Sequence, residues 1–152
     1  MMPERVNRNT GAGTRVILGF VSGFVAVLLF HQVMLGLLKV VGLTDRGPFP
    51  FQPTAPFGIP QVVSAAFWGG LWGIILAFVE RKFGRGSAYW TAALLFGALA
   101  LSLVAWFVVL PLKGQPAAGG WDPAAMAAAL LVNGAWGVGT AMLLKLLLRR
   151  RD

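Results

Sequence analysis

Val62-Val-Ser-Ala-Ala-Phe-Trp-Gly-Gly-Leu-Trp-Gly-Ile-Ile-Leu-Ala-Phe-Val79 runs for 18 residues without a charge, with Pro60 before it and Glu80-Arg81-Lys82 after it. A helix rises about 1.5 Å per residue, so roughly 20 residues cross a hydrocarbon core of about 30 Å. Lipid offers no partner to a free backbone N–H or C=O, so a run of this kind is a helix and not a strand.

Three more runs share this character: 23 residues between Arg15 and Lys39, 25 from Ala88 to Leu112, and 22 from Pro123 to Leu144. The 152-residue chain is 57% apolar and only 12% charged, with a mean hydropathy of +0.74. Soluble domains average about 45–50% apolar and about 25% charged, so a soluble fold is excluded on both counts. There is no cysteine, hence neither a disulfide framework nor a thiolate metal site. A secretory signal is the alternative for the first run, with Arg5, Arg8 and Arg15 as its basic region. The run is long for a signal, and no small-x-small cleavage site follows it.

The basic residues orient the spans. With the N-terminus inside, Arg5, Arg8, Arg15, Arg81, Lys82, Arg85, Lys145, Arg149, Arg150 and Arg151 are cytoplasmic. Lys39, Arg46 and Lys113 are left outside. Ten against three accounts for all 13 and follows the positive-inside rule, which explains the net charge of +8 without nucleic acid. The expected organisation is an all-α membrane protein of four transmembrane helices, N-in/C-in, in a bacterial inner membrane. A cytoplasmic tail covers residues 1–15 and a single membrane domain residues 16–148, with spans at about 16–39, 61–80, 88–111 and 123–146. A basic tail covers 149–152.

Several ends are marked. Asp122-Pro123 places a capping carboxylate and then a proline at the start of the fourth helix, while Ser87 and Pro60 suit the starts of the third and second. Tyr89, Trp90 and Trp121 fall where interfacial rings are expected. The inner connection, Arg81 to Ser87, is short enough to make helices two and three antiparallel neighbours. The outer loop 42–60 holds five prolines and three phenylalanines, which excludes a helix. It reads as a cap over the helix ends or, alternatively, as a lid or docking surface.

The second and fourth helices share a pattern. Gly69-Gly70-Leu71-Trp72-Gly73 aligns without a gap on Asn133-Gly134-Ala135-Trp136-Gly137, and Trp72 and Trp136 coincide. Each follows an outer loop and precedes a basic segment, so the four spans read as two parallel-repeat helical hairpins, an arrangement found in transporters. Ala65, Gly69, Gly73 and Ala77 recur every fourth residue. Gly19 and Gly23 do so in helix one, Ala93 and Gly97 in helix three, and Asn133 and Gly137 in helix four, with Gly134 beside them. Small strips of this kind let backbones approach closely in lipid, within one chain or between copies of it.

No Asp, Glu, Lys or Arg lies inside a span, although ion-driven pumps normally need one there; Glu80 and Lys145 stand at span ends, where they can snorkel. The intramembrane polar candidates are His31, Gln32 and Asn133. Ser22, Ser64, Ser102 and Thr140 are expected to bond back to their own helix backbone. His31, the sole histidine, reads as one of a polar pair with Asn133 or Gln32, as a substrate or proton contact, or as a haem or metal ligand. No nucleophile–base pair, phosphate loop or paired carboxylate is visible, so no enzyme and no cofactor is expected.

Phe30-His31-Gln32, the proline-rich loop, Ala66 to Gly73, Pro111-Leu112-Lys113-Gly114 and Asn133 to Gly137 resemble a group of small proteobacterial inner-membrane proteins of unknown function. That resemblance implies no activity, substrate or cofactor. Three functions are therefore expected in order: a non-enzymatic subunit or scaffold of a membrane assembly; a transporter or channel for a small neutral solute through His31, Gln32 and Asn133; and a haem-binding or redox subunit. The expected partners are the lipid bilayer and a second copy or another membrane protein, with no nucleic acid.

Overall fold

A computed structural model describes residues 11–149. Four helices are long and apolar enough to cross a membrane: α1 Ala12–Val40, α2 Gln61–Lys82, α3 Ser87–Leu112 and α4 Pro123–Arg149. All four match the expected spans to within a few residues. Helix α1 begins before residue 16 and takes Arg15 into its first turn, because the Arg15 guanidinium donates to the Ala77 carbonyl (2.7 Å) and to Glu80 Oε1 (3.3 Å). Arg5, Arg8, Arg150 and Arg151 lie outside the described residues.

Close packing decides which helices pair. A Cβ placed on Gly23 would strike the Gly69 carbonyl and lie 2.8 Å from the Gly73 Cα; one on Gly19 would lie 2.7 Å from the Gly73 carbonyl. On the other side, a Cβ on Gly97 would strike the Asn133 carbonyl and lie 2.8 Å from the Gly137 Cα. Thus α1 seals against α2, and α3 against α4, through facing small-residue strips. Helix α4 also packs on α1, where Phe30 covers Gly139 and the wholly buried Trp136 donates its indole N–H to the Gly23 carbonyl (3.0 Å). Gly134 has more room, its nearest neighbour, Ala98 Cβ, lying 3.6 Å from a built Cβ.

The expected α2–α3 neighbourhood is realised at one end. Trp72 meets Phe96, Phe83 meets Tyr89 and Phe96, and Glu80 accepts from the Tyr89 hydroxyl (2.6 Å). Toward the other end the two helices diverge. At the joined end Arg15, Glu80 and Tyr89 form a continuous network, over which Lys145 Nζ sits 3.8 Å from the Tyr89 ring centroid. Each helix contributes one member. Glu80 and Tyr89 therefore do not face water or headgroups as expected from their positions; both are buried, since their polar atoms satisfy one another.

The loop is non-helical, as its prolines require. Strands β1 (Pro53–Thr54) and β2 (Ile59–Pro60) pair antiparallel within it. Pro60 serves as the cap of α2 and not as its first helical residue, and it offers no side-chain acceptor. The orphaned N–H groups of Gln61 and Val62 donate instead to the loop carbonyls of Gln52 and Pro50, each at 3.0 Å. Phe49, Phe51 and Phe57 remain exposed. Asp122 caps α4 as expected, accepting from Ala124 and Ala125 N–H at 3.2 Å each. Ser87 does not cap α3: Gly86 occupies that position at φ 60°, and Ser87 is the first helical residue.

Candidate functional site

Helix α1 changes pitch at the residues of interest. Over Val27–His31 the turns widen, and the Gln32 N–H reaches back five residues to the Val27 carbonyl. Widened turns of this kind recur at functional sites. The strip Gly19, Gly23, Val27 would continue to His31 at a spacing of four; the extra residue passes that inner position to Gln32, which is 2% exposed. His31 is turned aside and stays half-buried.

A cavity of about 770 Å³ opens where α2 and α3 diverge. His31, Gln32 and Asn133 all line it, together with Ala65 of α2 and Trp106 of α3. It extends to the loops, where Asp45, Arg46 and Lys113 stand on its wall. The three intramembrane candidates, spread over two helices and more than 100 residues of sequence, therefore share one space.

Their hydrogen bonds differ from the simplest expectation. Gln32 Nε2 lies 3.3 Å from His31 Nδ1, one of the two pairings expected. Asn133 does not pair with His31; its Nδ2 donates to Ser102 Oγ across the α3–α4 contact at 3.0 Å. Ser102, expected to serve only its own backbone, instead holds the Asn133 side chain. Of the other hydroxyls, Thr140 does bond back, to the Trp136 carbonyl at 2.8 Å. Ser22 Oγ is the sole fully enclosed side-chain nitrogen or oxygen without a partner among the described residues. Among the described residues, His31 Nε2 and Asn133 Oδ1 have no hydrogen-bond partner and are not enclosed, so both border the cavity space.

Gln32 has a second bond that the sequence did not suggest. Its Oε1 accepts the Phe49 backbone N–H at 2.7 Å, fastening the proline–phenylalanine loop to α1 beside the cavity. The remaining sites expected from sequence are packing positions: Gly19, Gly23, Gly69, Gly73 and Ala77 lie in the α1–α2 contact and Gly137 in the α3–α4 contact. Trp72 packs edge-on against Phe96, whereas Trp136 reaches α1. Among the described residues, no group of three or more His, Asp or Glu side chains converges as a metal site would require. No protein-family model, curated protein or solved structure matches the chain.

Proposed function

We propose that the protein binds a small, neutral, polar solute inside the bilayer and serves its passage across the inner membrane. The observation that carries this reading is a cavity that takes in His31, Gln32 and Asn133 together and reaches the loops. Its volume of about 770 Å³ falls within the roughly 300–1,000 Å³ typical of small-molecule sites. Its floor sets the amides of Gln32 and Asn133 and the His31 ring among apolar residues such as Val62, Ala65, Trp106 and Val132, and polar groups converging in an apolar setting are what such sites use to orient a ligand.

The positive-inside bias directs the cavity to the outer face, with the Arg15–Glu80–Tyr89 network closing the cytoplasmic end. A parallel repeat supports the same reading. Gly19 and Gly23 meet Gly69 and Gly73 as Ala93 and Gly97 meet Asn133 and Gly137, which supports reading the chain as two hairpins built alike. Asn133 stands where the first hairpin has Gly69, which makes the polar floor the point at which the halves differ. The subunit-or-scaffold reading draws less support, because the small strips that would dock a partner face one another within the chain.

Purified protein in proteoliposomes is expected to admit urea, glycerol or acetamide, followed by stopped-flow light scattering, faster than protein-free vesicles do. Rates equal to those of empty vesicles for every such solute would remove the reading.

A further inference from the structure

The hydrogen-bond chain from loop to cavity has a direction. A backbone N–H can only donate, so the 2.7 Å contact between Phe49 N and Gln32 fixes the acceptor end of the Gln32 amide as Oε1. The amide nitrogen is then the atom facing His31 Nδ1, and an amide NH₂ can only donate. Nδ1 must accept, which leaves the imidazole proton on Nε2. Among the described residues that nitrogen has no hydrogen-bond partner, and it is not enclosed. Asn133 donates from Nδ2 to Ser102 Oγ, which turns its carbonyl oxygen to the side without a partner among the described residues.

We propose that Gln32 is a positioning residue that holds His31 as an Nε2–H donor. The cavity floor therefore offers the His31 Nε2–H as a donor and the Asn133 carbonyl as an acceptor to an uncharged ligand of the carboxamide, urea or alcohol class. This rests on the solute-binding reading above and gives its ligand a chemistry. The charge distribution points the same way. Asp45, Arg46 and Lys113 lie on loops at the mouth, and the floor groups His31, Gln32 and Asn133 bring no ionic partner. A charged ligand seated there would be desolvated without compensation, whereas a carbonyl with an adjacent N–H or O–H meets both free groups.

The same amide fastens the loop, which couples the mouth to the floor.

The chain holds one histidine, so isotopically labelled histidine gives a single residue's ring-nitrogen spectrum in nanodiscs. At neutral pH the wild type is expected to show a protonated Nε2 and an unprotonated Nδ1. Gln32→Met, which keeps the length and removes both hydrogen bonds, is expected to give a mixture of tautomers. Acetamide or urea is expected to shift the Nε2 signal, while tetramethylammonium and acetate leave it unmoved. An Nδ1–H tautomer or an imidazolium in the wild type overturns the role of Gln32, an outcome independent of whether vesicles show solute flux. The expected tautomer with an Nε2 signal indifferent to amides, in protein that does conduct solute, overturns the ligand class.

Discussion

Gly97→Val is expected to prevent the protein from folding stably, and Gly23→Val to do the same, with losses at or above about 3 kcal/mol each. Overpacking a core costs about 1–3 kcal/mol where side chains can yield. Here the first atoms met are backbone: the Asn133 carbonyl and Gly137 Cα for Gly97, and the Gly69 carbonyl and Gly73 Cα for Gly23. Relief requires the helices to separate, which forfeits the dispersion contacts that replace the hydrophobic effect between helices in lipid. Alanine already introduces the offending carbon. Gly97→Ala is thus expected to lower the melting temperature in detergent even though alanine favours a helix by about 1 kcal/mol. Gly134→Ala supplies the contrast: its nearest neighbour leaves 3.6 Å, and the propensity gain is expected to leave the melting temperature unchanged or raised. Equal effects at positions 97 and 134 would show that small-residue contact is not what holds the bundle.

The second large effect belongs to the cavity floor. Asn133→Leu and His31→Leu are each expected to cut solute flux at least about tenfold, since the loss of one hydrogen bond of about 1.4 kcal/mol corresponds to a factor of ten. Both side chains are half-buried and line open space, so leucine is accommodated and the melting temperature is expected to move little. Leu131→Ala, on the outward face of the same helix as Asn133, is the control and is expected to conduct normally. Flux retained in both floor variants would place the route elsewhere.

The spans were legible because four charge-free runs leave no other choice in lipid, and Asp122 marked its helix start by chemistry that needs no partner. Which helix each strip would face was not legible. A strip at four-residue spacing names a face and no partner, and the short Arg81–Ser87 connection pointed to α2 and α3, which touch mainly at their joined end. Glu80 was misread for a related reason. From sequence it is a charge at a span end; Arg15 and Tyr89, one on each neighbouring helix, are what allow it to be buried.

His31, Gln32 and Asn133 were visible as the polar exceptions in apolar helices, but their pairing was not. The widened turn at Val27–His31 shifts the helix face by one residue, which no regular wheel anticipates, and so brings Gln32 inward in place of His31. Ser102 carried no signal beyond being a serine in a helix. Its role exists only because the Gly97–Gly137 contact brings α3 and α4 close enough for Asn133 to reach it.

The central claim is that a polar cavity enters the bilayer from the outer face between α2 and α3. A chain without cysteine permits a direct test by single-cysteine accessibility in intact cells. Ala65→Cys and Ala129→Cys both line the cavity, whereas Val63→Cys and Leu131→Cys point outward from the same two helices. A small membrane-impermeant thiol reagent added outside is expected to label positions 65 and 129 and to leave 63 and 131 unmodified. Labelling of neither cavity position, or labelling only when the reagent is given access to the cytoplasmic face, would contradict the account.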